Sequence, residues 1–129
     1  MKDYEVKMAE ASRELTAREK IRFRDFSAAV AIDASIADDR DPGLTIEPIV
    51  YAVFDVHNEH AEHPDYRNYM IEDKSGIIYI TSSSGAFTRF QDIFDTMKSD
   101  SPDEDFTVTF YKKPSNKYKG KFMLLCKLD

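Results

Sequence analysis

Tryptophan does not occur in this chain of 129 residues, cysteine occurs once, at Cys126, and glycine only four times. One cysteine excludes a disulfide framework within the chain and the paired-cysteine zinc motifs. No apolar run approaches the roughly 20 residues of a membrane-crossing helix, and no basic-then-apolar leader with a small-residue cleavage site opens the chain. The expectation is a soluble cytoplasmic protein with no membrane partner. Gly-x-x-x-x-Gly-Lys, Gly-x-Ser-x-Gly and His-Glu-x-x-His are all missing, so nucleotide cradling, serine hydrolysis and zinc hydrolysis have no motif to rest on. Carboxylates are plentiful but scattered through loops, and Cys126 lies in the apolar run Phe122–Cys126, the setting of a buried, inert thiol. Neither catalysis nor a cofactor is expected.

What is present fits one domain: 42% of the residues are hydrophobic, enough for a single core at this length. Nine Phe and seven Tyr suit a β core, and they are equally the rings that stack nucleobases. The net charge of −6 is unevenly spread, with +2 on residues 1–24, −13 on residues 25–105 and +5 on residues 106–129. A polyanion responds to the local field and not to the total, so basic ends on an acidic body are compatible with an anion-binding face.

The basic end is organised as a hairpin. Phe106, Val108 and Phe110 share one side of a strand and Thr107, Thr109 and Tyr111 the other, which makes the Phe side core. Phe122 to Cys126 is apolar at every position, as in a strand covered on both faces at its centre. The connector Lys112–Lys121 holds Lys112, Lys113, Lys117, Lys119 and Lys121, no acid, and the turn residues Pro114, Ser115, Asn116 and Gly120. Close pairs of such lysines repel by roughly a kcal/mol each, a repulsion that a polyanion would relieve.

Before the hairpin, residues 3–15 fit both periods, with Tyr4, Val6 and Met8 alternating as in a strand and Tyr4, Met8, Ala11 and Leu15 on one helical face, and a strand followed by a turn is the reading preferred to a helix. Thr16-Ala17-Arg18-Glu19 matches a capping box, but the two-residue alternation of Lys20-Ile21-Arg22-Phe23-Arg24 favours a strand with Lys20, Arg22 and Arg24 on one face as a second basic surface. Residues 26–36 fit either a short helix or a bent strand, and residues 38–43 are a loop. The run from Leu44 to His57 is a strand interrupted early by Pro48, which places that end at a sheet edge or a bend, with Tyr51, Val53 and Asp55 on one face and Ala52, Phe54 and Val56 on the other. His57, His60 and His63 fall in a polar loop whose spacing suits a metal poorly, so no metal site is expected. Asn68–Thr81 is a tight hairpin, and a serine-capped helix follows with Phe87, Phe90, Phe94 and Met97 as its stripe.

From residue 44 the order is strand, strand, strand, helix, strand, strand, that of an OB-fold, a five-stranded Greek-key barrel. The fold expected is therefore mainly β with one helix, an OB-like barrel over residues 44–129 and an N-terminal extension over residues 1–43 packed on it. In that arrangement His57–Arg67 and Lys112–Lys121 become the two loops that grip oligonucleotides.

The stretches VFDVHNEH, DKSGIIYITSSSGAF and KKPSNKYKGKFMLLC resemble small single-stranded DNA-binding proteins of phages and mobile elements of Gram-positive bacteria. The likeness runs from about Thr16 to the C-terminus. It implies a non-catalytic protein that binds single-stranded DNA during DNA replication. Unlike cellular single-stranded DNA-binding proteins, the sequence ends at Leu128-Asp129 without a Gly/Pro-rich tail and acidic tip, so recruitment of replication proteins through such a tail is not expected. The residues expected to bind nucleic acid are Tyr111, Lys112, Lys113, Lys117, Tyr118, Lys119 and Lys121, with Lys20, Arg22 and Arg24; Tyr66 and Tyr79 are further stacking candidates. The competing reading is a small protein-interaction module whose acidic body docks on a host protein. A homodimer made by strand addition at an exposed barrel edge is compatible with either.

Overall fold

Leu44 to Asn58 is too apolar to lie at a surface and too long for one flat sheet, and it divides at Glu47. In the computed structural model, which describes residues 3–129, the two halves enter different sheets. The elements in order are β1 (Tyr4–Ala11), α1 (Ala17–Arg24), β2 (Val30–Ala31), β3 (Leu44–Ile46), β4 (Pro48–Asn58), β5 (Asp65–Asp73), β6 (Ile78–Thr81), α2 (Ser84–Asp100), β7 (Val108–Pro114) and β8 (Phe122–Leu128). A five-stranded sheet has the order β1-β4-β5-β6-β2 and a three-stranded sheet the order β3-β7-β8. All pairings are antiparallel except the short β2–β6 pair.

The chain is thus mainly β with one long helix, but the expected barrel is not closed. The two sheets are continuous through the β3–β4 bend, and closing the other side would require β6 to pair with β8. The outer edge of β6 is instead taken by β2, with Val30 beside Tyr79 and Ala31 beside Ile80, while α2 packs along β8.

Between the sheets lies the larger core. Tyr51, Val53, Ile71 and Tyr79 face Ile46, Val108, Phe110 and Cys126, and the Phe87-Phe90-Phe94 stripe of α2 fills the space between them. Tyr51 is its hub: its ring meets those of Phe87, Phe90 and Phe94 edge-on at 5.4, 5.9 and 5.2 Å. Its hydroxyl donates to Asp95 at 2.9 Å and accepts from Gln91 at 3.2 Å, and burial pushes its pKa up to about 12. Ser83 caps the helix by accepting from the Ala86 amide.

A smaller core covers the other face of the five-stranded sheet, where Leu15, Phe23 and Phe26 lie on Phe54, Met70, Ala52 and Val50. Here the expectation of a strand over residues 20–24 is overturned. Thr16 Oγ1 accepts from the Glu19 amide at 3.2 Å, Glu19 accepts from the Thr16 amide at 2.9 Å, and Arg13 grips Glu19 through Nη1 and Nη2 at 2.8 and 2.7 Å. The capping box outweighs a five-residue alternation that has no sheet edge to pair with. Ile21 and Phe23, about 200° apart on a helix, part company: Phe23 is fully buried and Ile21 is 70% exposed. Residues 26–36 are neither one helix nor one strand but two 3₁₀ turns flanking β2, anchored by buried Ile32 and Ile36. A third correction concerns β8: Met123 and Leu125 lie on its outer face, because the three-stranded sheet has core on one side only, while Phe122 and Leu128 share the inner face with Leu124 and Cys126 but are exposed at the two ends of the strand.

The loop before β3 is pressed against β7. Gly43 has φ +101°, and a Cβ there would sit 2.3 Å from the Phe110 carbonyl oxygen, whereas Gly120, at φ +79°, has open space around it. We expect Gly43→Ala to lower stability by about 2 kcal/mol or more and Gly120→Ala by about 1 kcal/mol. Urea denaturation checks this; equal losses would contradict the close approach of the loop to β7.

Candidate nucleic-acid interface

Strand β7 runs on through Lys112, Lys113 and Pro114, so the basic connector shortens to Ser115–Lys121. Its shape is built by Ser115, whose Oγ accepts from the amides of Lys117 at 3.3 Å and Tyr118 at 3.1 Å, and whose amide donates to the Lys121 carbonyl at 2.9 Å. Gly120 supplies the left-handed residue of the turn. This arrangement turns Tyr118 outward, 58% exposed, with the Lys117 ammonium 5.4 Å from its ring centre.

Below the tip, the pairing of β7 with β8 decides which side chains reach solvent. Val108, Phe110, Leu124 and Cys126 point into the core, so Tyr111, Lys113, Met123, Leu125 and Lys127 point out. In register, Tyr111 lies beside Leu125, Lys113 beside Met123, and Thr109 beside Lys127. The Lys127 ammonium sits 5.2 Å from the Tyr111 ring centre. The result is an apolar strip of Tyr111, Leu125 and Met123 with a lysine at each end, continuous along the strands with the tip. Its far end is closed by Asp129, which accepts from Thr107 at 2.9 Å and Thr109 at 2.8 Å, so the one acid of this segment is already engaged. Among the described residues, no carboxylate forms an ion pair with Lys113, Lys117, Lys119, Lys121 or Lys127.

Met123, Leu125 and Lys127 are the surface residues not legible from sequence. The usable signal was the alternation of β7: once Tyr111 is placed outside, its partner across the hairpin must be outside too.

The expected binding residues do not all gather here. Lys112 lies on the Phe110 side of β7 and donates to the carbonyls of Asp33 at 2.9 Å and Ile36 at 2.7 Å, so it pins the residue 33–36 turn and is not free for a phosphate. Arg22 is likewise committed, to Glu72 at 3.1 Å and the Gly76 carbonyl at 2.6 Å. Lys20 and Arg24 are exposed on α1, but α1 packs on the face of the five-stranded sheet that points away from β7 and β8. The second basic surface is therefore separate from the first. Tyr79 is buried and donates to Asp73 at 3.2 Å, which removes it as a stacking ring, whereas Tyr66 stays partly exposed on the outer face of β5.

The histidine segment is also shorter than expected. His57 belongs to β4 and Asp65 to β5, and His57 Nδ1 meets Asp65 at 2.7 Å, which raises the imidazole pKa. Among the described residues no three His, Cys, Asp or Glu side chains converge as a metal site would require. Burial pushes the Cys126 thiol up to about 12, far from a reactive thiolate. No helix among them is long and apolar enough to cross a membrane.

The two neighbouring lysines of β7 make opposite predictions. Lys112→Met removes a charged donor from two carbonyls and should lower stability by about 1–3 kcal/mol. Lys113→Met should stay within about 0.5 kcal/mol of the parent. Thermal and urea denaturation of both variants checks the contrast.

The chain matches no protein-family model, no curated protein and no solved structure.

Proposed function

We propose that this protein binds single-stranded DNA with little sequence preference, along the outer face of β7–β8 and the tip that joins them. The observation that carries the reading is a repeated unit of one ring and one ammonium: Lys117 on Tyr118 at 5.4 Å and Lys127 on Tyr111 at 5.2 Å. A nucleotide offers the complementary pair, a base to stack and a phosphate to neutralise. Met123 and Leu125 extend the apolar strip, and Lys113, Lys119 and Lys121 add donors for successive phosphates. With no acid free in the segment, its field is positive although the whole chain carries −6.

The element order, together with a first strand that bends from one sheet into the other, supports an OB-like arrangement whose closing seam is filled by β2 and α2. OB-folds use the face of strands two and three together with two loops. Here Leu15, Phe23 and Phe26 cover much of that face over Phe54 and Met70, which favours the fourth and fifth strands as the binding surface. The resemblance to phage and mobile-element proteins of Gram-positive bacteria argues for a role in DNA replication inside a bacterial host, without catalysis and with replication proteins as neighbours.

Fluorescence anisotropy with an oligo-dT strand over a range of salt tests the reading. Lys117→Ala with Lys119→Ala should weaken binding and flatten the salt slope by up to about 0.7 for each phosphate that is no longer neutralised. Tyr118→Ala should cost on the order of 1–3 kcal/mol of affinity with little change in slope, since stacking releases few ions. No binding at low salt and tens of micromolar protein rejects the proposal. In that event, charge reversals at Asp100, Asp103, Glu104 and Asp105 that abolish a host-protein interaction would favour the acidic body instead.

A further inference from the structure

We infer that the protein pairs with a second copy of itself through β1, antiparallel and centred on Val6, so that the two five-stranded sheets become one. Strand β1 spans eight residues and bonds to β4 on one side only. Among the described residues it is the one long open edge: β2 and β3 are two and three residues long, and β8 lies against α2. An open edge of this length invites pairing unless something blunts it. A shift in register between Met8 and Glu10 ends the regular part, which leaves Tyr4–Met8 as the available stretch.

The chemistry of that stretch is self-complementary in one register. A two-fold axis through an antiparallel pair places some residue opposite its own copy, because opposed side chains must lie on the same face. Centring on Glu5 opposes two carboxylates, and centring on Lys7 opposes two ammonium groups. Centring on Val6 puts Glu5 opposite Lys7 of the second copy, twice over, and Tyr4 opposite Met8, twice over. Tyr4 and Met8 are 51% and 43% exposed, and each would cover the other.

The strongest support comes from the rows of charge that already cross each sheet. Lys7 is in register with Asp55, and Asp55 with Arg67, where the Arg67–Asp55 pair closes at 2.7 Å. Two residues along, Glu5 is in register with His57, and His57 with Asp65, where the pair also closes at 2.7 Å. With Val6 at the centre, the first row of one copy runs into the second row of the other. The sequence across the joined sheets is Arg67, Asp55, Lys7, then Glu5, His57 and Asp65 of the second copy. With His57 protonated its sign alternates at every step. Shifting the centre by one residue in either direction breaks that alternation.

The test needs no DNA, so it stands or falls apart from the reading of the hairpin. Size-exclusion chromatography with light scattering, from micromolar to hundreds of micromolar protein, should show a monomer–dimer equilibrium. Glu5→Lys alone makes both facing positions cationic, and Lys7→Glu alone makes both anionic, so each should raise the dimer Kd on the order of tenfold or more. Mixed together, these two variants face each other with opposite charges, and native mass spectrometry should show the mixed dimer in preference to either homodimer. Far-ultraviolet circular dichroism confirms that each variant is folded. A parent that stays monomeric throughout, single variants that dimerise as well as the parent, or a mixture with no preference for the mixed dimer would each overturn the proposal.

Discussion

One run of backbone has to serve two sheets, and most of the fold follows from how it does so. The bend at Glu47-Pro48 sends Leu44–Ile46 to β7 and Pro48–Asn58 to β1 and β5. Both halves bury apolar side chains in the same interior, so the sheets must face each other, and the gap between them is set by the rings that fill it. Tyr51 sits just past the bend and touches three phenylalanines of α2 at once, which ties the helix to the sheet. With α2 against β8 and β2 on β6, the side opposite the bend is sealed by packing and not by a hydrogen-bonded ladder.

That arrangement leaves the three-stranded sheet with one naked face. A sheet that packs on a core from one side only turns every second residue away from that core, and in β7 and β8 those residues are Tyr111, Met123, Leu125, Lys113 and Lys127, together with Thr109, which is buried and bonded to Thr45 and Asp129. Elsewhere much of the charge is engaged within the chain: Arg13 with Glu19, Arg22 with Glu72, Arg67 with Asp55, Lys74 with Glu47. Glu19 shows the strength of such engagement, its pKa drawn down to about 2 chiefly by the hydrogen bonds from Arg13. The hairpin differs in kind, since among the described residues Lys113, Lys117, Lys119, Lys121 and Lys127 form no ion pair with a carboxylate and the Asp129 carboxylate is held by two threonines.

The N-terminal segment does more than trail from the domain. Its first strand widens the large sheet, its helix covers the outer face of that sheet, and its second strand occupies the edge at which a barrel would have closed. Residues 3–43 thereby convert what would be an exposed apolar surface into a second core.

By itself the sequence determined the local elements wherever one period dominated: the β5–β6 hairpin from its turn residues, α2 from its spaced phenylalanines and serine cap, and the basic hairpin from two apolar runs around a lysine-rich turn. It was misleading at Lys20–Arg24, where five alternating residues competed with a four-residue cap, and at β8, where an apolar run does not say how many of its faces are covered. Only the tertiary structure decided which lysines and arginines are free, because the groups that engage them are far away in sequence. Lys112 finds its acceptors 79 and 76 residues back along the chain, and Arg22 finds Glu72 50 residues ahead. Charge is a property of a residue, but its availability depends on which carbonyls and carboxylates the fold brings within about 3 Å.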